Sequence, residues 1–461
     1  MKNIKRTLAI LLILTLIMVL LLPGCGKKEA GPLRICLDVG TAGSITDSSS
    51  NSRAVFENLL KTMEDFGGPK DVEVEYIPAE GADRKSMIKH LKTELMSGSG
   101  PDLFIVDAYD GNFYDDEPIF TIPEQMIERH VFLPLDEYIE KAQFADWDRL
   151  TPKVMEAGRG SEGQILVPLA YTLPLTCYKA EDYAHTPSPE LTWMDMLASD
   201  DMMFRQSAFY GRPGERSFSP SFNFGQLADY KEEELLFTGE ELLDVVEQEL
   251  TLLGEYQAGS WDELPTCYQG MMSPDFWPSH NDLGSYTMDT LRPETPMAMV
   301  PLYNKEGGLT AKVTTFAAIN RNTKRAGEAF FALDYLLGRD TIQYSDFYKW
   351  VIRLGDAMVM DMDVGKEDYS YRHQSMAPEN VEQFDLLRDS ITSVSFANIL
   401  DHEMEQAYID AYMALYEDGG DSVKSLADIP TLSTCSPEAR ERIRELVKEA
   451  YRVMAMELQE S

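Results

Sequence analysis

The residues from Leu33 to Val106 restrict the fold most, because their apolar spacing switches repeatedly between two periods. Leu33-Arg34-Ile35-Cys36-Leu37 reads as a strand. From Arg53 to Phe66, the residues Val55, Phe56, Leu59, Leu60, Met63 and Phe66 recur at helical spacing. Val72 to Ile77 alternates as a strand does, and Pro78 ends it. Lys85 to Met96 places Met87, Ile88, Leu91 and Leu95 on one helix face, and Gly98-Ser99-Gly100-Pro101 stops it. Leu103-Phe104-Ile105-Val106 is a short continuous apolar strand, as in a sheet covered on both sides. This order opens an α/β domain with parallel strands.

Downstream the signals are sparser. Thr192 to Gly284 is more helical and irregular, with a capping box at Thr238-Gly239-Glu240-Glu241 ahead of Leu242, Leu243, Val246 and Leu250. Strand patterns return at Met297 to Val300 and Thr314 to Ile319. A helix follows over Arg325 to Leu337, with Ala329, Phe330, Leu333 and Leu337 inward and Gly338 as its cap. Ser436-Pro437-Glu438 opens a last helix with the stripe Ile443, Leu446, Val447, Ala450, Met454 and Leu458.

The chain begins with Lys2, Lys5 and Arg6, then an apolar run from Thr7 to Leu22, the layout of a secretory signal. The run is long enough for a membrane span, but Pro23-Gly24 breaks it at once. Leu22-Pro23-Gly24-Cys25 resembles the lipobox of bacterial lipoproteins, although Pro23 is unusual in its middle position. The resemblance implies cleavage after residue 24 and diacylation of the Cys25 thiol. Two acyl chains anchor stably where one is marginal. Residues 25–31 then form a polar tether, and the rest lies outside the cell, held on the extracytoplasmic face of the membrane of a Gram-positive-type bacterium.

A chain of 461 residues suffices for two or three domains, and 44% hydrophobic with 10% aromatic content is ordinary for a globular protein. The net charge of −37 disfavours nucleic acid and anionic headgroups as partners. Cys36, Cys177, Cys267 and Cys435 are scattered, with no metal-type spacing, and no disulfide pairing follows from them. The 24 methionines are dispersed and fit core filling rather than soft-metal binding.

Several further segments resemble, in order, the family 1 extracellular solute-binding proteins of ABC importers, relatives of maltose-binding protein. They are Ser97 to Asp107 (SGSGPDLFIVD), Phe132 to Lys141 (FLPLDEYIEK), Gln164 to Tyr183, Leu191 to Leu197 (LTWMDML), and Met297 to Gln343. Tyr178-Lys179 departs from the family's Tyr-Asn-Lys. Thr266 to Thr290 keeps at most a remnant, Tyr268 to Met272, of the expected segment. The resemblance implies a two-lobed type II periplasmic-binding-protein fold, α/β, with a hinge between lobes. Lobe one would be 32–173 plus 299–345, and lobe two 174–298 plus 346–461. It implies a monomer, without cofactor or metal, that captures a small solute, by family default a carbohydrate, and delivers it to ABC permease subunits. A surface-anchored glycoside-processing enzyme and a ligand-sensing subunit for a membrane kinase are the alternatives.

A sugar cleft needs aromatic faces for ring CH groups, and carboxylates and amides for hydroxyls. Such groups sit on loops beyond the carboxyl ends of strands. The loop after Val106 supplies Asp107, Tyr109 and Asp110, and the loop after the first strand supplies Thr41, Ser44 and Asp47. The crossover supplies Tyr171, and the second lobe Phe224, Trp277 and Tyr286. Catalytic motifs fail. His402-Glu403-Met404-Glu405-Gln406 lacks the second histidine of HExxH. Ser86 to Lys89 matches SxxK without its partner motifs. Asp110 to Glu117 is acid-rich but lacks EF-hand spacing.

Overall fold

The computed structural model describes residues 31–39, 51–78, 81–108, 118–183, 191–210, 221–265, 268–269, 296–345, 347–348, 358–361 and 377–460. The opening alternation is realised as strand β1 (Leu33–Asp38), helix α1 (Asn51–Asp65), β2 (Val72–Tyr76), α2 (Gly81–Met96) and β3 (Leu103–Asp107). β1 pairs in parallel with both β2 and β3. Later segments join the same sheet: β4 (Leu166–Thr172), β8 (Leu309–Ile319), β9 (Met358–Val359) and β10 (Ile391–Phe396). Between these in sequence, β5 (Leu175–Lys179), β6 (Tyr268–Gln269) and β7 (Met297–Pro301) form a second, antiparallel sheet of order β6-β5-β7.

The large sheet has seven strands in the order β9-β4-β8-β3-β1-β2, with β10 also on β8. β8 is long enough to hold two partners end to end on one edge. Residues 309–313 pair in parallel with β10, and residues 315–319 antiparallel with β3. Its other edge holds β4, with register shifts on both sides of Thr315, which faces Ala170, next to the pair of Phe316 with Pro168. A proline lacks the amide that a regular ladder uses, so a shift there is expected.

Two cores result. The first gathers β1, β3, β4 and β8 with Phe56, Phe132, Phe330 and Leu333. The second gathers Tyr178, Trp193, Phe224 and Phe237 with helices α4 (Gly239–Gln257), α7 (Ile399–Gly419) and α8 (Pro437–Glu460). Membership of the two cores differs in places from the division expected from sequence: Leu175, Cys177 and Met297 pack in the first core, and Val300 and Leu302 in the second. Phe347, Tyr348, Met360, Phe384, Leu387, Ile391 and Phe396 pack in the first core, not the second. The reason is that β10 pairs with β8, so the chain reaches the second core only after residue 397.

Two buried ion pairs fasten this framework. Arg84 on α2 is fully buried and Asp38 nearly so. The guanidinium donates to both carboxylate oxygens at 2.8 and 3.0 Å, and to the Pro78 carbonyl at 2.9 Å. One side chain therefore ties the ends of β1 and β2 to α2. Lys312 on β8, 3% exposed, meets Asp401 at 2.9 Å. A charge left alone in such a site costs several kcal/mol, whereas an apolar pair of similar volume is tolerated. Arg84→Met is therefore expected to destabilise the protein by about 3–5 kcal/mol in urea titrations, through the stranded Asp38 carboxylate. The double variant R84M/D38L should recover most of that loss. An equal loss in both would show that packing of the arginine stem, not charge, sets the cost.

Candidate functional site

The carboxyl ends of β1, β2 and β3 lie side by side, the place where an open α/β sheet forms its ligand crevice. Asp38 closes β1, and burial pushes its carboxyl up while the Arg84 hydrogen bonds and charge oppose that shift. At the end of β3, Thr315 Oγ1 donates to Asp107 Oδ1 at 2.7 Å, and the Ala108 amide donates to the Thr314 carbonyl at 2.8 Å. Both strand ends are thus held by side chains from neighbouring elements. Such support keeps polar groups in fixed positions for a ligand. Asp107, a ligand candidate from sequence, lies at the end of β3, and β1 extends one residue past Leu37 to Asp38.

The other expected residues divide into two sets. Ser44, Asp47, Tyr109, Asp110, Trp277 and Tyr286 lie outside the described residues, as do Thr41, the acid-rich run 110–117 and the lipidation candidate Cys25. Tyr171 and Phe224 are described and enclosed. Tyr171, on β4, has 0% exposure, and its hydroxyl is 3.4 Å from Thr151 Oγ1. Phe224, 2% exposed, packs on Phe237 with ring centroids 4.7 Å apart, and the Lys305 ammonium lies 5.3 Å from its centroid. Both rings are thus shut off from solvent in this structure. Of the rejected motifs, Ser86 and Lys89 are exposed on α2. Among the described residues no cluster of histidine, cysteine and acids could hold a metal ion, and Cys36 and Cys435 are free thiols.

Among the places where the described chain passes between the two cores are the segments around Leu173–Pro174, residues 302–308 and Ala397–Asn398. The crossings adjoin. Lys312 is in register with Thr172 on β4 and with Ser395 on β10. The Leu302 amide donates to the Pro174 carbonyl at 3.0 Å, and the Ala397 amide to the Val313 carbonyl at 3.0 Å. Side chains converge at this junction. Asn398 caps α7, and Asp401 completes the capping box by accepting the Asn398 amide at 3.0 Å. The Asn398 amide group donates to the Tyr230 hydroxyl at 3.0 Å. Helix α3 (Pro123–Glu128) adds Glu124, whose Oε1 accepts the Phe396 amide at 2.9 Å. Burial raises the Glu124 carboxyl to about 7, against the pull of its backbone donors and of Lys312, with Asp401 adding a smaller upward push. Burial and the Glu124 and Asp401 charges push the Tyr230 phenol well above its ordinary value. None of these groups was read as functional. The one available signal was a lone lysine inside the apolar run Leu309 to Ile319.

No protein-family model and no curated protein sequence matches the chain. Solved structures do. An extracellular solute-binding protein of family 1 from Alicyclobacillus acidocaldarius matches at 13% identity and a TM-score of 0.52, over 93% of this chain and 100% of that one. A periplasmic oligogalacturonide-binding protein from Yersinia enterocolitica matches at 14% identity and a TM-score of 0.50, over 92% and 100%. A periplasmic solute-binding protein from Pectobacterium atrosepticum matches at 13% and 0.50, over 92% and 98%. At such identities the likeness is one of fold: this chain has the two-lobed α/β fold of the extracellular solute-binding proteins.

Proposed function

We propose that the protein is a binder, not an enzyme, which captures a small carbohydrate between its lobes and hands it to an ABC permease. The observation that carries this reading is the pair of cores, between which the chain passes at adjoining segments, an arrangement that can close around a solute while each core stays intact. The carbohydrate class is supported by a neighbour of the same fold described as an oligogalacturonide-binding protein. Lobe one takes 32–173, 299–345 and the described residues between 347 and 397 whose side chains pack with it, and lobe two the remainder. Asp107, with Tyr109 and Asp110 beyond it, contributes from lobe one, joined by Ser44 and Asp47 from the loop after β1. Trp277 and Tyr286 contribute from lobe two. Tyr171 and Phe224 act behind the contact surface, as enclosed supports.

The Cys25 thiol carries the acyl chains, and residues 25–31 tether the lobes outside the membrane. Cys25→Ser is expected to abolish incorporation of labelled palmitate and to release the protein into the medium. Retention of the label in that variant would place the lipid elsewhere or exclude the lipoprotein form.

A ligand that binds only the folded state raises its melting temperature. A thermal-shift screen across oligosaccharides, polyamines and peptides should give shifts of several degrees with a sugar, recovered unchanged after incubation. A shift with peptides or polyamines alone overturns the carbohydrate class, and cleavage of the sugar overturns the binder. With the sugar so found, Asp107→Asn should weaken affinity roughly tenfold or more while the melting temperature of the free protein holds, since a hydrogen bond to a charged group contributes about 1.5–3 kcal/mol. Tyr109→Ala should also weaken it. Unchanged affinity in both variants would remove the end of β3 from the site.

A further inference from the structure

We propose that Glu124, Lys312, Asp401 and Tyr230 form a proton-controlled latch across the crossings, closed when Glu124 is neutral and loosened when it is ionised. This rests on reading the chain as a two-lobed binder, and concerns how that binder opens.

The geometry singles out this cluster. Its members come from both sides of the junction: Lys312 from β8 of the first sheet, Tyr230 and Asp401 from elements of the second core. Glu124 joins them through the Phe396 amide, at the last residue before the chain crosses. Helix α3 itself touches both cores, with Ile127 in the first and Ile122 in the second. Its Gln125 amide reaches the Leu458 carbonyl of α8 at 2.7 Å, and the Ile399 amide donates to the Thr121 carbonyl at 3.1 Å. A separation of the lobes at this point must therefore break contacts made by α3.

The charges decide the direction. With Glu124 neutral, one ammonium faces one carboxylate and the cluster balances. With Glu124 ionised, two carboxylates share one ammonium inside a buried site, and water entry is favoured. The other groups around α3 do not restore the balance. β10 carries no titratable side chain. Arg159, on the hairpin beside α3, is bound to Asp136 at 2.6 Å. On α7, burial holds His402 below its ordinary value, and the α8 end contributes Glu457, a further negative charge. On α3 itself, Glu128 is exposed.

The sign follows from linkage. The folded-state carboxyl, at about 7, lies above its ordinary value of 4.5. The stability it lends is complete below about 4.5 and is lost as pH rises through about 7. Opening that releases Glu124 to water thus becomes easier as pH rises toward about 7 and levels off above it, by about tenfold in all between pH 6 and 8, since only the pH units between the two values each contribute up to a factor of ten.

Hydrogen exchange of the full chain without ligand reads this directly. After correction for intrinsic rates, protection of the amides of Val313, Phe396, Ala397 and Ile399 should fall about tenfold from pH 6 to 8, while β1 amides hold. Glu124→Gln should keep the crossings protected across that range. Asp401→Asn, which removes the competing charge and frees Lys312 for Glu124, should move the midpoint to lower pH. It also serves if the glutamine variant fails to fold. An equal loss of protection in Glu124→Gln, an unmoved midpoint in Asp401→Asn, or a parallel loss in β1 would overturn the latch. No sugar enters this experiment, so a protein that shows the response yet binds no sugar keeps the latch and loses the carbohydrate reading.

Discussion

A buried ammonium at the centre of three adjoining segments governs the rest of the structure. Lys312 sits on β8 with Thr172 on one side and Ser395 on the other, nearly shut off from water. An unpaired charge there would be too costly to keep, so Asp401 must lie against it. Asp401 is in turn fixed by its place in the capping box of α7. The ion pair thereby decides where α7 begins. Helix α7 packs along α8 and supplies Leu400, Met404, Tyr408 and Leu415 to the second core. One lysine thus ties the start of α7 to β8.

The same economy recurs elsewhere in this acidic chain. With 41 lysines and arginines against 78 acids, surface repulsion is diffuse and screened by salt. The cations that shape the fold are the few removed from water. Arg84 joins two strand ends to a helix, and Arg325 links the start of helix α5 (Ala326–Leu337) to Asp71, just ahead of β2, at 2.7 Å while also meeting Glu328. Each stands where the chain changes direction, so each fixes a junction more than it adds to net stability. Exposed pairs such as Arg452 with Glu449 hold no such place, and contribute little.

Buried polar residues also explain what the sequence concealed. The opening strands and helices were legible because their inward residues are apolar. Where an inward residue is charged, the pattern fails. α2 starts at Gly81 rather than Lys85, since the inward Arg84 reads as a solvent residue. β8 starts at Leu309 rather than Thr314, since Thr310 and Lys312 look polar yet are buried. β10 and α7 went unread as elements; α7 carries acids on almost every turn, and Glu405 among them is buried. Asp107, expected from the rule that ligands gather beyond strand ends, lies at the end of β3. Tyr171, expected at the crossover, and Phe224, expected for its aromatic ring, are both buried, since a ring that stacks on a sugar and a ring that fills a core look the same in sequence.

Two cores that bury their own side chains can shift against each other without either being opened, so the free energy of opening concentrates in the crossings. The crossings here are a paired backbone ladder with little slack, and Pro174 restricts the first of them. What remains adjustable is the electrostatics beside the ladder. A group at a pivot moves little when the lobes turn, but its exposure to water changes, and for a buried carboxyl exposure is the dominant influence on charge. Apparent affinity scales with the fraction of protein in the competent form. A pivot carboxyl can therefore tune binding from a distance, without touching the solute.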